Sequence, residues 1–200
     1  MRVRRMAGCF LLAVGTVAAT AQMPMGGMDM GPKAGGVVTP VIAVDAQLKL
    51  IEGEMMGAVK AMPADKYNFA PSAAIFVPGQ KTEFATVRTF AQQATHVAQA
   101  NYFFYMTISG MKPDVDMQGM AKLTSKDDIV AALQASFDFA HKAIATLTPA
   151  NAFEVVQTPE PALMTRATLA QFGVSHAFDH YGQMVEYLRM NGIVPPASAK

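Results

Sequence analysis

His176 and His180 stand four residues apart in Ser175-His-Ala-Phe-Asp-His-Tyr-Gly-Gln, and a third histidine, His96, lies far upstream in Thr95-His-Val-Ala-Gln-Ala-Asn-Tyr. On a helix, a four-residue step places two imidazoles on one face, one turn apart. Thr168, Gln171, Ser175, Asp179, Gly182 and Glu186 recur at helical steps and form the solvent stripe of that segment. At about 100° per residue, both histidines fall away from this stripe, on the side of Leu169, Phe172 and Tyr187. His96 projects between a wet face of Arg88, Gln92, Thr95 and Gln99 and a core face of Phe90, Ala94, Val97, Phe104 and Ile108. It lies near the middle of its helix, as His176 does of its own. Midpoints of bundle helices of similar length share a depth, so the three imidazoles can converge.

Three neutral imidazoles suit zinc, nickel or iron, and a set of three protein ligands leaves a position for water or substrate. Such an ion lowers the pKa of bound water or of a thiol, or polarises a carbonyl. The same residues also fit as boundary histidines with satisfied hydrogen bonds, because a four-residue histidine pair arises often by chance. No general base stands out. Asp179 adjoins His180 but points to solvent, and Tyr181 and Tyr187 suit packing. Gln93 and Gln183 share faces with the histidines, where they orient the rings or bound water, or serve as boundary amides. His141 lies beside the buried stripe of its helix, close to the negative helix end that favours an imidazolium, and stays outside the site.

The elements that must hold these residues follow from periodicity. Arg2, Arg4 and Arg5, the short apolar run from Cys9 to Ala19, and Ala19-Thr20-Ala21 read as a signal peptide over residues 1–21. The expectation is an exported protein, periplasmic or extracellular, without stable membrane insertion after cleavage; an uncleaved anchor is the alternative. The mature chain from Gln22 contains no cysteine, which excludes disulfides, thiolate metal sites and cysteine nucleophiles. A formal net charge of +1 gives no basic footprint for nucleic acid. Residues 22–40, rich in Met, Gly and Pro, form a flexible tail in which Met23, Met25, Met28 and Met30 offer soft ligands for Cu(I).

Residues 41–198 then form one domain. A first helix is expected from about Val44 to Met62, with Leu48, Ile51, Met55 and Val59 inward and Pro63 ending it. Ala64 to Gly79 reads as an ordered loop, and Ala73 to Val77 holds the longest strand-like alternation. A second helix starts near Thr82 and ends at Gly110. The third begins at Ser125, with Asp127 and Asp128 at its positive end and a buried stripe running to Leu147. The fourth runs from about Pro161 to Asn191, closed by Gly192. Four amphipathic helices without repeats make an all-α, four-helix bundle the simplest way to bury four apolar stripes.

The two histidine segments, Thr95 to Phe104 and Ser175 to Ser198, resemble the second and closing helices of the DinB-like (DinB/YfiT) superfamily of metalloproteins. Met62-Pro-Ala-Asp-Lys-Tyr-Asn-Phe-Ala-Pro71 is similar to the loop after that family's first helix. The resemblance covers most of residues 44–198. It implies a four-helix bundle, one divalent metal held by His96, His176 and His180, and a homodimer. It also implies a small-molecule substrate, with a low-molecular-weight thiol as co-substrate in some relatives. The export signal departs from a largely cytoplasmic family, where such thiols are abundant. Three functions stay open: a metal-dependent transferase (thiol-type) or hydrolase, a non-catalytic metal-binding protein, and an interaction module.

Overall fold

The computed structural model describes residues 32–72, 79, 87–158 and 164–199. The expected signal sequence, the four tail methionines and the alternating stretch Ala73 to Val77 lie outside them. The chain divides into Met1–Gly36 and Val37–Lys200. In the first unit, a turn closed by the Gly36 N–H on the Lys33 carbonyl is described. The second unit is the helical domain.

Its four helices are α1 (Pro40–Ala61), α2 (Phe90–Ser109), α3 (Lys126–Ile144) and α4 (Arg166–Met190). The all-α expectation holds, and three helix starts differ from those periodicity suggests. Helix α1 opens four residues early, at Pro40, because Thr39 accepts from the Ile42 N–H and proline's fixed φ suits the first helical position. Helix α2 begins at Phe90 instead of near Thr82, which lies outside the described residues. Thr89 and Gln92 form a reciprocal capping box there, and residues 87–89 are not helical. Helix α4 likewise starts at Arg166, five residues past Pro161, behind the Thr165–Thr168 box. Apolar periodicity continues past each of these points, but the cap decides where the backbone turns helical. Ser125 caps α3 as expected, accepting from the Asp128 N–H. Leu147 lies beyond the end of α3 and is still buried.

Helix α1 packs on α3 and α4, and α2 also packs on α3 and α4, so α1 faces α2 across one diagonal and α3 faces α4 across the other. Consecutive helices α1–α2 and α3–α4 are therefore not neighbours, which is why residues 62–89 and 145–165 make long connections. The first is tied down by Tyr67, whose buried hydroxyl donates to the Val59 carbonyl at 2.6 Å and whose ring meets Phe90 edge-on. Lys126 donates to the carbonyls of Lys60 and Met62, closing the negative end of α1. Helices α2 and α4 run antiparallel. The pairs Gln93–Gln183, His96–His176, Phe104–Phe172 and Ile108–Arg166 ascend one helix and descend the other.

The core is one cluster in which Leu48, Ile51, Met55, Phe90, Ile108, Ile129, Leu133, Phe137 and Ile144 are fully enclosed. No helix among the described residues is long and apolar enough to cross a membrane.

Candidate metal centre

The antiparallel pairing of α2 and α4 brings His96 against His176 and His180. His96 Nε2 lies 3.2 Å from His176 Nε2, and His180 Nε2 lies 3.2 Å from the same atom. All three can offer a ligand atom within 4.8 Å of one another. The six residues expected on the solvent stripe of α4 are exposed, while His180 is buried and His176 and His96 are partly so. Thr95, expected on the wet face of α2, is buried and donates its hydroxyl to the Ala91 carbonyl. Phe104, expected in the core, is only partly buried: it forms an edge-on contact with His176, and Phe172 stands edge-on to Phe104. Phe104 walls one flank of the site, while Phe172, placed on the inward side by its spacing, is 43% exposed.

A hydrogen-bond relay sets the tautomer of His180. Asp179 is a carboxylate and can only accept, so Gln183 presents its NH₂ there, at 3.1 Å. Gln183 Oε1 then accepts from Gln93 Nε2 at 2.7 Å, and Gln93 Oε1 faces His180 Nδ1 at 2.6 Å. That nitrogen must carry the proton, which leaves a lone pair on His180 Nε2, directed at the other two rings. Gln93 is thus a ring-orienting amide. Asp179 is exposed, as its position on the solvent stripe suggests, yet it also anchors this relay.

Burial holds all three imidazoles neutral. It pulls His96 down to about 4, helped by the Arg88 guanidinium and His176. It pulls His180 down to about 4, with His176 and His96 adding to the effect. His176 is lowered for the same first reason, against a smaller opposing pull from Asp179. Neutral imidazoles are the form that binds metal.

The donor set fits a divalent ion. At a metal–nitrogen distance of about 2.0–2.1 Å, tetrahedral ligand nitrogens lie roughly 3.3 Å apart, close to the two 3.2 Å spacings. Without an ion the arrangement is unbalanced, because a single proton on His176 Nε2 can serve only one of its two neighbours. His176 Nδ1 is buried and has no hydrogen-bond partner, so its polar contacts all run through the shared centre.

His141 lies apart from this centre, as expected, but for a different reason than the end of its helix. Its Nδ1 is 2.5 Å from Asp45 Oδ1 and its Nε2 is 2.8 Å from Glu52 Oε2, so two carboxylates of α1 clasp it across the α1–α3 interface. Neither acid could be paired with it from local spacing.

A four-helix bundle with three neutral histidines converging from two helices defines a class of candidate metalloprotein. A sequence profile of the DinB superfamily matches residues 47–184, and the chain belongs to that superfamily. The matched span includes all three histidines. A search of curated protein sequences finds no match.

Proposed function

We propose that this protein is a metal-dependent enzyme acting on a small molecule, with His96, His176 and His180 as ligands of one divalent ion. The observation that carries the reading is the convergence of three imidazoles on one point at 3.2 Å spacings. A bound zinc, nickel or iron ion would supply Lewis acidity suited to hydrolysis or to transfer of a group such as a thiol.

The chain's own residues perform the remaining tasks. Gln93 holds the His180 ring so that Nε2 faces the centre. The Phe104 ring stands edge-on to His176 and covers one flank of the site. A cavity of about 440 Å³ beside the start of α2, with His96 in its wall, gives room for a small molecule. The basic start, short apolar run and Ala19-Thr20-Ala21 support export, so the substrate is sought outside the cytoplasm.

Elemental analysis of protein purified without added metal, beside a His176→Ala variant, tests this. Near-stoichiometric divalent metal in the parent and its loss in the variant are expected, and the same measurement distinguishes zinc, nickel and iron. Metal retained by the variant, or absent from the parent even after reconstitution, would overturn the reading.

A further inference from the structure

The cavity against His96 is also lined by Arg88, Gln92, Thr95 and Gln99. Its hydrogen-bonding groups are unevenly committed. Thr95 donates to the Ala91 carbonyl, and the Gln99 amide donates to the Met117 carbonyl at 2.7 Å. Gln92 Oε1 is taken by the Thr89 N–H at 2.9 Å, which leaves the Gln92 NH₂ as a free donor. Arg88 differs from the other two arginines of the described residues. Arg166 pairs with Glu154 and Arg189 with Glu186, whereas the Arg88 guanidinium has no carboxylate partner among them.

The charge of the region points the same way. Arg88 and His96 line the same cavity. A divalent ion on three neutral ligands keeps its full charge, since no carboxylate belongs to the set. Asp179 is on the exposed face and accepts from Gln183. One unpaired guanidinium, Arg88, and the free Gln92 amide therefore line a cavity of small-molecule size beside His96.

We propose that this cavity binds a small carboxylate- or phosphate-bearing molecule, its anionic group held by the Arg88 guanidinium while the rest of the molecule lies against the three-histidine centre. The fork of an arginine matches either oxyanion through two parallel hydrogen bonds. The proposal names the substrate class of the site described above and rests on that reading for the second anchor. The Arg88 contact itself does not require a metal.

Calorimetric titration of succinate, inorganic phosphate and neutral succinamide into the full-length protein tests it, with zinc-loaded and zinc-free samples measured in parallel. Succinate or phosphate is expected to bind, with succinamide at least about tenfold weaker than succinate. Arg88→Gln should weaken the anion about tenfold at unchanged zinc content and melting temperature, as expected for loss of a charge-assisted hydrogen bond. Arg189→Gln should change nothing. The tighter of the two anions assigns the group as carboxylate or phosphate. Equal anion affinity in parent and Arg88→Gln, equal affinity for succinate and succinamide, or no binding of either anion in the millimolar range would overturn the proposal. If zinc fails to bind while the anion still depends on Arg88, the metal reading falls and the anion site stands.

Discussion

The phenol of Tyr105 on α2 packs so closely on Gly173 of α4 that a Cβ there would stand 2.9 Å from its oxygen and 3.0 Å from the ring carbon that bears it. Tyr105 is fully buried and donates to the Ala170 carbonyl at 3.2 Å, so it has little room to yield. Gly173 lies one turn before His176. This contact therefore sets how near the histidine-bearing stretch of α4 comes to α2.

Gly173→Ala should destabilise the fold by about 1–2 kcal/mol, because overpacking outweighs the gain in helix propensity. Gly182, on the same helix, meets nothing within 4 Å of a built Cβ and is exposed. Gly182→Ala should stabilise by roughly 0.5–1 kcal/mol. Opposite shifts of the urea midpoint are expected. A stabilising Gly173→Ala would mean that the helices are farther apart than described.

Gln93→Leu removes the acceptor that fixes the His180 tautomer. Zinc affinity should fall about 10- to 100-fold, the usual cost of losing a partner that orients a metal-binding histidine. Gln93→Glu keeps an acceptor and should recover most of that loss. Nitrogen chemical shifts of the His180 ring in metal-free protein report the tautomer directly. A parent ring protonated at Nε2 would contradict the relay from Asp179.

The His141 clasp predicts a pH-dependent stability with a defined sign. Burial alone would lower the His141 pKa, but hydrogen bonds to Glu52 and Asp45, with their charges, outweigh it and raise the pKa. The stabilisation is therefore fully present below the unfolded histidine value, about 6.5, and is lost as pH rises through the higher folded value. Asp45 resists burial through hydrogen bonds to Lys49 and His141, which lower its pKa, so its share is lost only as pH falls into the carboxylate range. His141→Gln should cost about 1–2 kcal/mol in mildly acidic solution and progressively less toward alkaline pH. Urea denaturation of parent and variant across that range checks this; a difference that grows with pH would refute it.

Thr89→Ala breaks the capping box that opens α2 and should cost about 1 kcal/mol. The Thr89 N–H still reaches Gln92 Oε1 in that variant, so adding Gln92→Ala should cost a further few tenths to about 1 kcal/mol. A double variant no less stable than Thr89→Ala in thermal or urea unfolding would show that the second bond contributes nothing on its own.

Much of this protein was legible without coordinates because amphipathic periodicity is a local property. The stripes Leu48–Ile51–Met55–Val59 and Ile129–Leu133–Phe137 could be assigned from spacing alone, as could the exposed face from Thr168 to Glu186. Those stripes specify four helices and their inward faces, and they pick out three histidines at or near the boundary. The cap positions of α2 and α4 were harder, since more than one threonine precedes each and only closure of a box, at Thr89 or Thr165, selects one.

Tertiary structure alone decided which partners those residues have. The relay from Asp179 through Gln183 and Gln93 to His180 crosses between helices separated by some ninety positions in sequence. The clasp of His141 by Asp45 and Glu52 spans a similar distance along the chain. Such contacts depend on the relative depth and rotation of packed helices, which no local spacing records. Sequence therefore determined the ring types and the face each helix turns inward, while the antiparallel packing of α2 on α4 determined that three imidazole nitrogens meet.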